Sequence, residues 1–120
     1  YDVIGAAGVA ADLSHIDTPV EVRHAQGKLP TVKNDPALAA MSQGVDVFVI
    51  VAGVPRKPGM TRDDLFKVNA GICLDIVQTC GKASPKACFC IVTNPVNSTV
   101  PIAAQALKKL GKKRVLVMNV

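Results

Sequence analysis

The sequence is poor in the residues that several large classes of protein need. It has no tryptophan and only 3% aromatic residues, which argues against an aromatic platform for nucleic acid. Charged residues reach only 19%, which excludes a disordered tail kept open by charge. The longest apolar run, Val45 to Val54, contains Asp46 and is far too short to cross a bilayer. The remaining composition, with 49% hydrophobic residues, fits one globular domain of 120 residues.

The net charge of +5 does not by itself indicate a nucleic-acid partner. The basic residues are scattered except for one cluster near the end of the chain, formed by Lys108, Lys109, Lys112, Lys113 and Arg114. This cluster follows an apolar helical pattern and surrounds Gly111, so we interpret it as a solvated helix end. A small anionic substrate and an anionic cofactor would use the same positive potential.

The four cysteines do not form a metal-binding pattern, and we expect no metal site. Cys73 and Cys80 fall on one face of a predicted helix, and Cys88 and Cys90 alternate on one face of a predicted strand. Neither pair has the C-x-x-C spacing of a zinc site. We interpret all four as buried, reduced thiols that act as small hydrophobic residues.

The second half of the chain has the pattern of an α/β fold with a parallel sheet. Three short, continuous apolar segments predict strands that are buried on both faces: Val45–Val51, Ala87–Val92 and Arg114–Met118. Helical spacing predicts one helix from Thr61 to Cys80, ended by Gly81, and another from Ser98 to Leu110, capped by Ser98. Strands that alternate with helices imply right-handed parallel crossovers.

The N-terminal third is less regular. We predict a short helix over Gly8–His15, a strand over Val20–His24 and a helix over Asp35–Gln43 that Asp35 and Pro36 open. The segment Gly5-Ala-Ala-Gly8 lacks the preceding strand and third glycine of a dinucleotide-binding loop. Asp2 fits better as the acid that ends the second strand of such a fold and accepts hydrogen bonds from a ribose.

The segment VAGVPRKPGMTRDDLF, residues 51–66, leaves a strand and places two arginines in a loop before a helix. Open α/β sheets bind their ligands at this carboxyl edge. Arg56 and Arg62 suit a substrate with two negative groups, because a guanidinium grips a carboxylate bidentately and stays charged. The alternative is a surface loop with two solvated arginines.

The segment IVTNPVNSTV, residues 91–100, follows the next strand in the same way. Asn94 offers a donor and an acceptor at the same edge, as a ribose hydroxyl or a substrate oxygen would require. The alternative is a plain Asn-Pro turn. His15 and His24 lie at no strand end of this kind, and we expect them to be structural or exposed.

Three blocks of the sequence, YDVIGAAGVAADLSHI, VAGVPRKPGMTRDDLFKVNAGI and CIVTNPVNSTVPIAA, resemble those of the lactate/malate dehydrogenase family, specifically malate dehydrogenases of the mitochondrial, glycosomal and bacterial type. The resemblance runs from Tyr1 to about Leu110. It implies part of a Rossmann-type, doubly wound parallel sheet with flanking helices, and NAD as the cofactor.

The resemblance also implies a role for each matching residue. The cofactor-binding residues would be Asp2 at the ribose, Gly53, Asn69, and Val92, Thr93 and Asn94 at the nicotinamide end. Arg56 would bind the distal carboxylate of malate or oxaloacetate, and Arg62 would polarise the ketone as the catalytic arginine. Asn94 would orient the substrate, and the loop from Ala52 to Arg62 would close over it.

Set against that family, residues 1–120 would be a partial NAD-binding domain, an internal fragment without its first strand and glycine-rich loop. The proton-transfer pair, a third substrate arginine and the C-terminal catalytic domain would follow Val120. The last residues, RVLVMNV, depart from the family's Gly-Val-Thr-Thr pattern. We therefore expect the fragment alone to be inactive.

The resemblance implies an oxidoreductase that interconverts malate and oxaloacetate with NAD. It also implies that the complete protein is soluble, intracellular and homodimeric, with no nucleic-acid or membrane partner. It leaves mitochondrial, glycosomal and cytoplasmic locations open. One alternative is a broader 2-hydroxyacid dehydrogenase, against which Arg56 argues, since a monocarboxylate needs no such cation. The other is a non-catalytic binding or interaction fragment.

Overall fold

The computed structural model describes residues 1–27 and 33–111, together with the backbone of residues 117–119. Helices and strands alternate along its second half, as the sequence predicts. The elements are α1 (Ala6–Ser14), α2 (Pro36–Met41), β1 (Val47–Ile50), α3 (Arg62–Ala83), β2 (Cys88–Ile91), α4 (Val96–Lys109) and β3 (Val117–Asn119). Part of the predicted third strand and of the basic cluster, residues 112–116, lies outside the described residues.

The three strands form one parallel sheet in the order β1-β2-β3. Val47 lies opposite Cys88 in the first pair, and Phe89 lies opposite Val117 in the second. Parallel neighbours need a crossover between them, and α3 and α4 provide the two crossovers. The predicted α/β class and parallel sheet are confirmed.

The core lies between one face of the sheet and the two crossover helices, which also pack against each other. Ile50, Phe89 and Ile91 are almost fully buried on this face. The ring of Phe48 stacks on that of Phe89 with 5.0 Å between centroids. The helices contribute the other buried residues of this core: Cys73, Ile76, Val77 and Cys80 from α3, and Ala103, Ala106 and Leu107 from α4. Leu38 of α2 completes it.

The opposite face of β1 is open, so the prediction of burial on both faces is wrong for this strand. Val47 and Val49, which point to that side, are 55% and 63% exposed, and Val51 just beyond the strand is 70% exposed. The physical reason is that α3 and α4 share one core on the other face of the sheet. On the open side, residues of α1 and of β1 line opposite walls of one cleft.

Helix α3 begins with a complete capping box. Thr61 Oγ1 accepts the backbone N–H of Asp64 at 3.1 Å, and Asp64 Oδ2 accepts the backbone N–H of Thr61 at the same distance. The Thr61 hydroxyl also donates to Asp64 Oδ2 at 2.6 Å, and these hydrogen bonds lower the pKa of the Asp64 carboxyl. The predicted start of this helix near Thr61 is confirmed.

The predicted end of α3 at Gly81 is wrong, because the helix continues to Ala83. Gly81 is buried, and a Cβ added to it would lie 2.8 Å from Leu107 Cδ2 and 3.2 Å from Leu110 Cδ1. The backbone of Gly81 is ordinary helix, so the close approach of α4 explains why this position is a glycine. Gly111, with φ of 78°, is the glycine with left-handed backbone just after α4.

Helix α4 begins two residues before the predicted cap, so the assignment of Ser98 as the helix cap is wrong. Pro95 occupies that position, and its carbonyl accepts the N–H groups of Ser98 and Thr99. A proline suits the start of a helix because it has no N–H to satisfy. Pro101 lies inside the helix, within its first two turns.

In the N-terminal third, both short helices are present and the strand is not. Asp35 caps α2, since its carboxylate accepts the N–H groups of Ala37 and Leu38, as predicted. The prediction of a strand over Val20–His24 is wrong: the described backbone there forms no ladder, and one isolated parallel bridge joins Asp2 to Gln26 beyond it. A short apolar alternation cannot form a strand where no neighbouring strand pairs with it.

The cysteines are free thiols. Cys73 and Cys80 are buried as expected, but the expectation is wrong for Cys88 and Cys90, which are only half-buried because they face the open side of the sheet. Burial raises the pKa of the Cys73 thiol to about 11 and also raises that of Cys80, although a hydrogen bond from Ser42 acts in the opposite direction. His15 and His24 are exposed. Among the described helices, none combines the length and apolar character that a membrane crossing requires.

Candidate functional site

The carboxyl ends of β1 and β2 lie side by side. Ile50 pairs with Ile91, and the N–H of Val92 donates to the carbonyl of Ile50 at 2.9 Å. The loops that follow the two strands therefore leave the same edge of the sheet, where parallel α/β sheets bind ligands. Both segments predicted to form the site therefore lie at one edge: the loop between β1 and α3 that leads to Arg62, called here the arginine loop, and the turn at Asn94 and Pro95, called the Asn94 turn.

Thr93 ties these two loops together at their base. Its side chain is 2% exposed, and its hydroxyl donates to the carbonyl of Ala52 at 2.8 Å. The carbonyl of Thr93 in turn accepts the hydroxyl of Thr99 at 2.8 Å. Thr99 was not anticipated from the sequence, where a threonine in the first turns of a helix gives no sign of such a contact.

Asn69 bridges the same two loops from α3. It is 2% exposed. Its Oδ1 accepts the N–H of Val54 at 2.8 Å, and its Nδ2 donates to the carbonyl of Val54 at 3.3 Å and to that of Asn94 at 2.8 Å. The amide thus uses both of its hydrogens on backbone carbonyls.

Gly53 allows the arginine loop to approach this amide. A Cβ added to Gly53 would lie 3.2 Å from the Cγ, Oδ1 and Nδ2 atoms of Asn69. Gly53 itself is exposed on its other side, at the wall of a cleft. The glycine therefore meets two requirements, close contact with Asn69 and an open backbone towards the cleft.

The arginine loop is folded back on itself. Arg56 Nε donates to the carbonyl of Met60 at 3.2 Å, and the N–H of Met60 donates to the carbonyl of Lys57 at 3.1 Å. Gly59 has φ of 84°, a backbone conformation that side chains disfavour. The single hydrogen bond of Arg56 leaves its terminal nitrogens available to an anion.

Arg62 is the first residue of α3, directly after the Thr61 cap. Both Arg56 and Arg62 are exposed, and neither guanidinium forms an ion pair within residues 1–27 and 33–111. Two unpaired cations on one loop create a local positive potential at the edge of the sheet. A substrate with two anionic or partly charged oxygens would complement it.

The backbone of Asn94 is bound to the rest of the protein, while its side-chain amide faces solvent. Its carbonyl accepts the Asn69 amide, its peptide bond to Pro95 is cis, and its side chain is exposed at the edge of the sheet. Val92 is half-buried, and its N–H completes the ladder to β1. The exposed amide of Asn94 can therefore donate to or accept from a ligand.

Asp2 lies before α1, in the N-terminal segment. Its Oδ1 accepts the N–H of Val3 at 2.6 Å and its Oδ2 accepts that of Gly5 at 3.3 Å. These backbone hydrogen bonds lower the pKa of the Asp2 carboxyl and keep it ionised.

A cleft of about 890 Å³ separates the N-terminal segment from the open side of β1. Asp2 lines it at one side, and Gly53 and Val54 line it at the other. Arg56, Arg62 and Asn94 are not among its lining residues. A second, smaller cavity of about 260 Å³ lies between α2 and α3 and contains none of the predicted site residues.

The fold agrees with a comparison against known families. Residues 1–116 match the family described as lactate/malate dehydrogenase, NAD binding domain, and the chain belongs to this family. The Rossmann-type fold and the NAD-binding character expected from the sequence are thereby confirmed.

Individual relatives within the family are malate dehydrogenases. The chain is 57% identical over 111 residues to mitochondrial malate dehydrogenase of Caenorhabditis elegans, covering 92% of this chain and 30% of that protein. It is 54% identical over 112 residues to malate dehydrogenase of Vibrio parahaemolyticus, covering 92% and 33%. The chain therefore spans about a third of the length of these relatives.

A solved structure supports the same fold. Malate dehydrogenase from Archaeoglobus fulgidus in complex with NADH superposes with a TM-score of 0.66 at 29% identity, over 87% of this chain and 32% of that one. The family thus accounts for the order of strands and helices described above.

The described residues fit a dinucleotide at two points. The Asp2 carboxylate is exposed and ionised, as an acceptor for ribose hydroxyls must be. At the other wall of the same cleft, Gly53 presents backbone without a side chain. Both features suit a long ligand that needs one acid and one close approach to backbone.

Proposed function

We propose that the protein containing this chain interconverts malate and oxaloacetate, with NAD as the hydride carrier. The observation that carries the proposal is the pair of exposed guanidiniums of Arg56 and Arg62 at the carboxyl edge of a parallel sheet, neither of which has an ion-pair partner in the part of the chain that the structure describes. A dicarboxylate with a ketone or hydroxyl supplies a matching set of oxygens. The names of the relatives support the same substrate.

Each arginine has a separate task in this proposal. Arg56 binds the substrate carboxylate farther from the reacting carbon, because it lies at the tip of a loop whose base is fixed. Arg62 donates hydrogen bonds to the ketone oxygen and stabilises the negative charge that develops there during reduction. The exposed amide of Asn94 orients the substrate between them.

The cofactor lies along the cleft in this proposal. Asp2 accepts hydrogen bonds from the adenosine ribose, and Gly53 lies against the cofactor at the other wall of the cleft. The nicotinamide end extends beyond the cleft to the edge of the sheet, where Val92, Thr93 and Asn94 border it. A bound nicotinamide would accept or donate the hydride. The part of the loop that carries Arg56 excludes water when it folds over the substrate.

The chain also needs groups that its described residues do not provide at this edge. Hydride transfer to a ketone requires a proton donor, and His15 and His24 follow neither β1 nor β2. We propose that residues 1–120 form part of an NAD-binding domain and that the proton donor comes from another part of the full-length protein. We further propose that this protein is a homodimer, which light scattering would test.

The test is NADH oxidation by the full-length protein with oxaloacetate, and separately with pyruvate. We expect rapid turnover of oxaloacetate and much slower turnover of pyruvate. Equal turnover of both would favour the alternative of a broader 2-hydroxyacid dehydrogenase. No turnover of either, with NADH still bound, would favour a non-catalytic binding protein.

A further inference from the structure

Asn69 is a buried side-chain amide that joins the two loops of the proposed site. Its three hydrogen bonds all go to backbone groups outside α3, two on Val54 and one on Asn94. Arg56 lies two residues after Val54 in the same loop, and Asn94 carries the exposed amide at the same edge. The contacts of Asn69 therefore fix the positions from which both site residues project.

We propose that Asn69 is a positioning residue, which sets the base of the arginine loop against the Asn94 turn and so holds the substrate-binding groups at a fixed separation. The proposal rests on the proposed function. It differs from the expectation that Asn69 contacts the cofactor directly.

The saturation of the amide supports positioning over direct contact. Both N–H groups of Asn69 donate to carbonyls, and the side chain is 2% exposed. No donor remains for a ligand, and only one lone-pair position of Oδ1 is unused. A cofactor would have to displace one of these bonds to reach it.

The same contacts define where the loop can bend. Thr93 holds the carbonyl of Ala52, and Asn69 holds both backbone groups of Val54. The first residue beyond these anchors is Pro55, and the internal hydrogen bond from Arg56 to Met60 moves with the loop. Closure over a substrate would therefore hinge after Val54, while the base stays in place.

The test uses Asn69→Asp in the full-length protein. This replacement keeps the shape and one acceptor for the Val54 N–H, but it removes both donors and places an oxygen opposite two carbonyls. The loops lose their fixed separation, and kcat/KM for oxaloacetate should fall by about 100-fold, the size expected for misplacement of about 1 Å. The binary affinity for NADH, measured by fluorescence titration, should stay at the wild-type value.

The pH profile adds a second readout. The Asn69 amide is hydrogen-bonded to backbone groups of Val54 and Asn94, and these groups do not titrate. Burial and the two facing carbonyls disfavour the charged form of the new carboxyl and raise its pKa. Its protonated form can donate one hydrogen bond, so activity relative to wild type should recover as the pH falls.

Two variants control for folding and for charge. Gln78→Glu makes the same amide-to-acid change on α3 at a half-buried position away from the loops, and should leave both activity and pH profile at the wild-type values. Asn69→Ser keeps a small polar group that cannot reach both loops. It should show the same loss of kcat/KM as Asn69→Asp, but without recovery at low pH.

The outcomes separate the inference from the proposed function. Loss of NADH affinity in Asn69→Asp and Asn69→Ser would overturn positioning and favour direct contact with the cofactor. Wild-type kinetics in both variants would overturn any role of Asn69 in the site. An inactive wild-type protein would instead refute the proposed function, whatever the variants do.

Discussion

Gly81 of α3 and Leu107 of α4 pack so closely that a methyl group on Gly81 would lie 2.8 Å from Leu107 Cδ2. Leu107 is only 2% exposed, so its side chain has little room to move aside. Gly81 therefore sets the distance between the two crossover helices. Because these helices cover one face of the sheet, this distance also determines how tightly the core is packed beneath the site.

Gly81→Ala should destabilise the full-length protein. Alanine gains about 1 kcal/mol over glycine in a helix interior. Overpacking of a dense core costs about 1–3 kcal/mol, and two leucine methyls are in the way here. The net change should be a loss of about 1 kcal/mol, measured by thermal or urea unfolding.

Gly71→Ala is the matched control on the same helix. A Cβ at Gly71 meets nothing within 4 Å, and the residue is exposed. This variant should be more stable than wild type by about 0.5–1 kcal/mol, the gain in helix propensity alone. If both variants were stabilised equally, the close packing of α3 on α4 would not be a constraint in solution.

The sequence was sufficient to predict the features of α3 and α4 that depend on local pattern. The helical spacing of both helices and the start of α3 near Thr61 are visible within a few residues, and both were confirmed. The cap of α4 was not, because it lies at Pro95 and not at Ser98. The end of α3 was predicted wrongly, because the reason for Gly81 lies in α4 and no local signal separates a packing glycine from a terminating one. The same limit applies to Val20–His24, where a strand needs a partner that the pattern cannot show.

The sequence also predicted those features of the site that follow from the local pattern. The carboxyl edge and the loop with Arg56 follow from the alternation of strands and helices. The contacts of Asn69 with Val54 and Asn94 were not predictable, because they join segments 15 and 25 residues apart through backbone atoms. Only the folded chain shows which atoms a buried amide meets.

Asp2 should select NADH over NADPH in the full-length protein. The hydrogen bonds from Val3 and Gly5 lower the pKa of the Asp2 carboxyl, so it is ionised throughout the neutral range. A carboxylate accepts ribose hydroxyls but repels a 2′-phosphate. Asp2→Asn should reduce the preference for NADH, measured as the ratio of kcat/KM values, by about tenfold or more.

Asp12→Asn is the control for Asp2, since it removes the charge of another exposed acid in the same segment. It should leave the cofactor ratio at the wild-type value. A wild-type ratio in Asp2→Asn as well would exclude Asp2 from the ribose site.

Cys73 should resist alkylation while the protein is folded. Burial raises the pKa of its thiol from 9.0 to about 11, so the reactive thiolate is scarce at about pH 8. Mass spectrometry after iodoacetamide treatment should find Cys73 modified only after addition of denaturant. Since the unfolded thiol ionises first, this group should also make folding less favourable as the pH rises from 9.0 towards 11. Rapid labelling of the native protein would contradict the buried position.

The sharpest test of the proposed function compares Arg56→Gln with Arg62→Gln in the full-length protein. Loss of a charge-assisted hydrogen bond to the second carboxylate costs about 2–3 kcal/mol, so Arg56→Gln should lower kcat/KM for oxaloacetate by about 100-fold. Pyruvate lacks that carboxylate and should be affected much less. Arg62→Gln should slow both substrates, because each develops charge on its ketone oxygen.

Lys57→Gln provides the control for charge, because it removes an exposed cation from the same loop beside Arg56. It should change kcat/KM for oxaloacetate only slightly, and mainly at low salt, where long-range attraction contributes most. If Lys57→Gln matched Arg56→Gln, the loop would act through its general positive potential. If Arg56→Gln and Arg62→Gln lowered turnover of oxaloacetate and pyruvate in the same proportion, the division of tasks between the two arginines would be wrong.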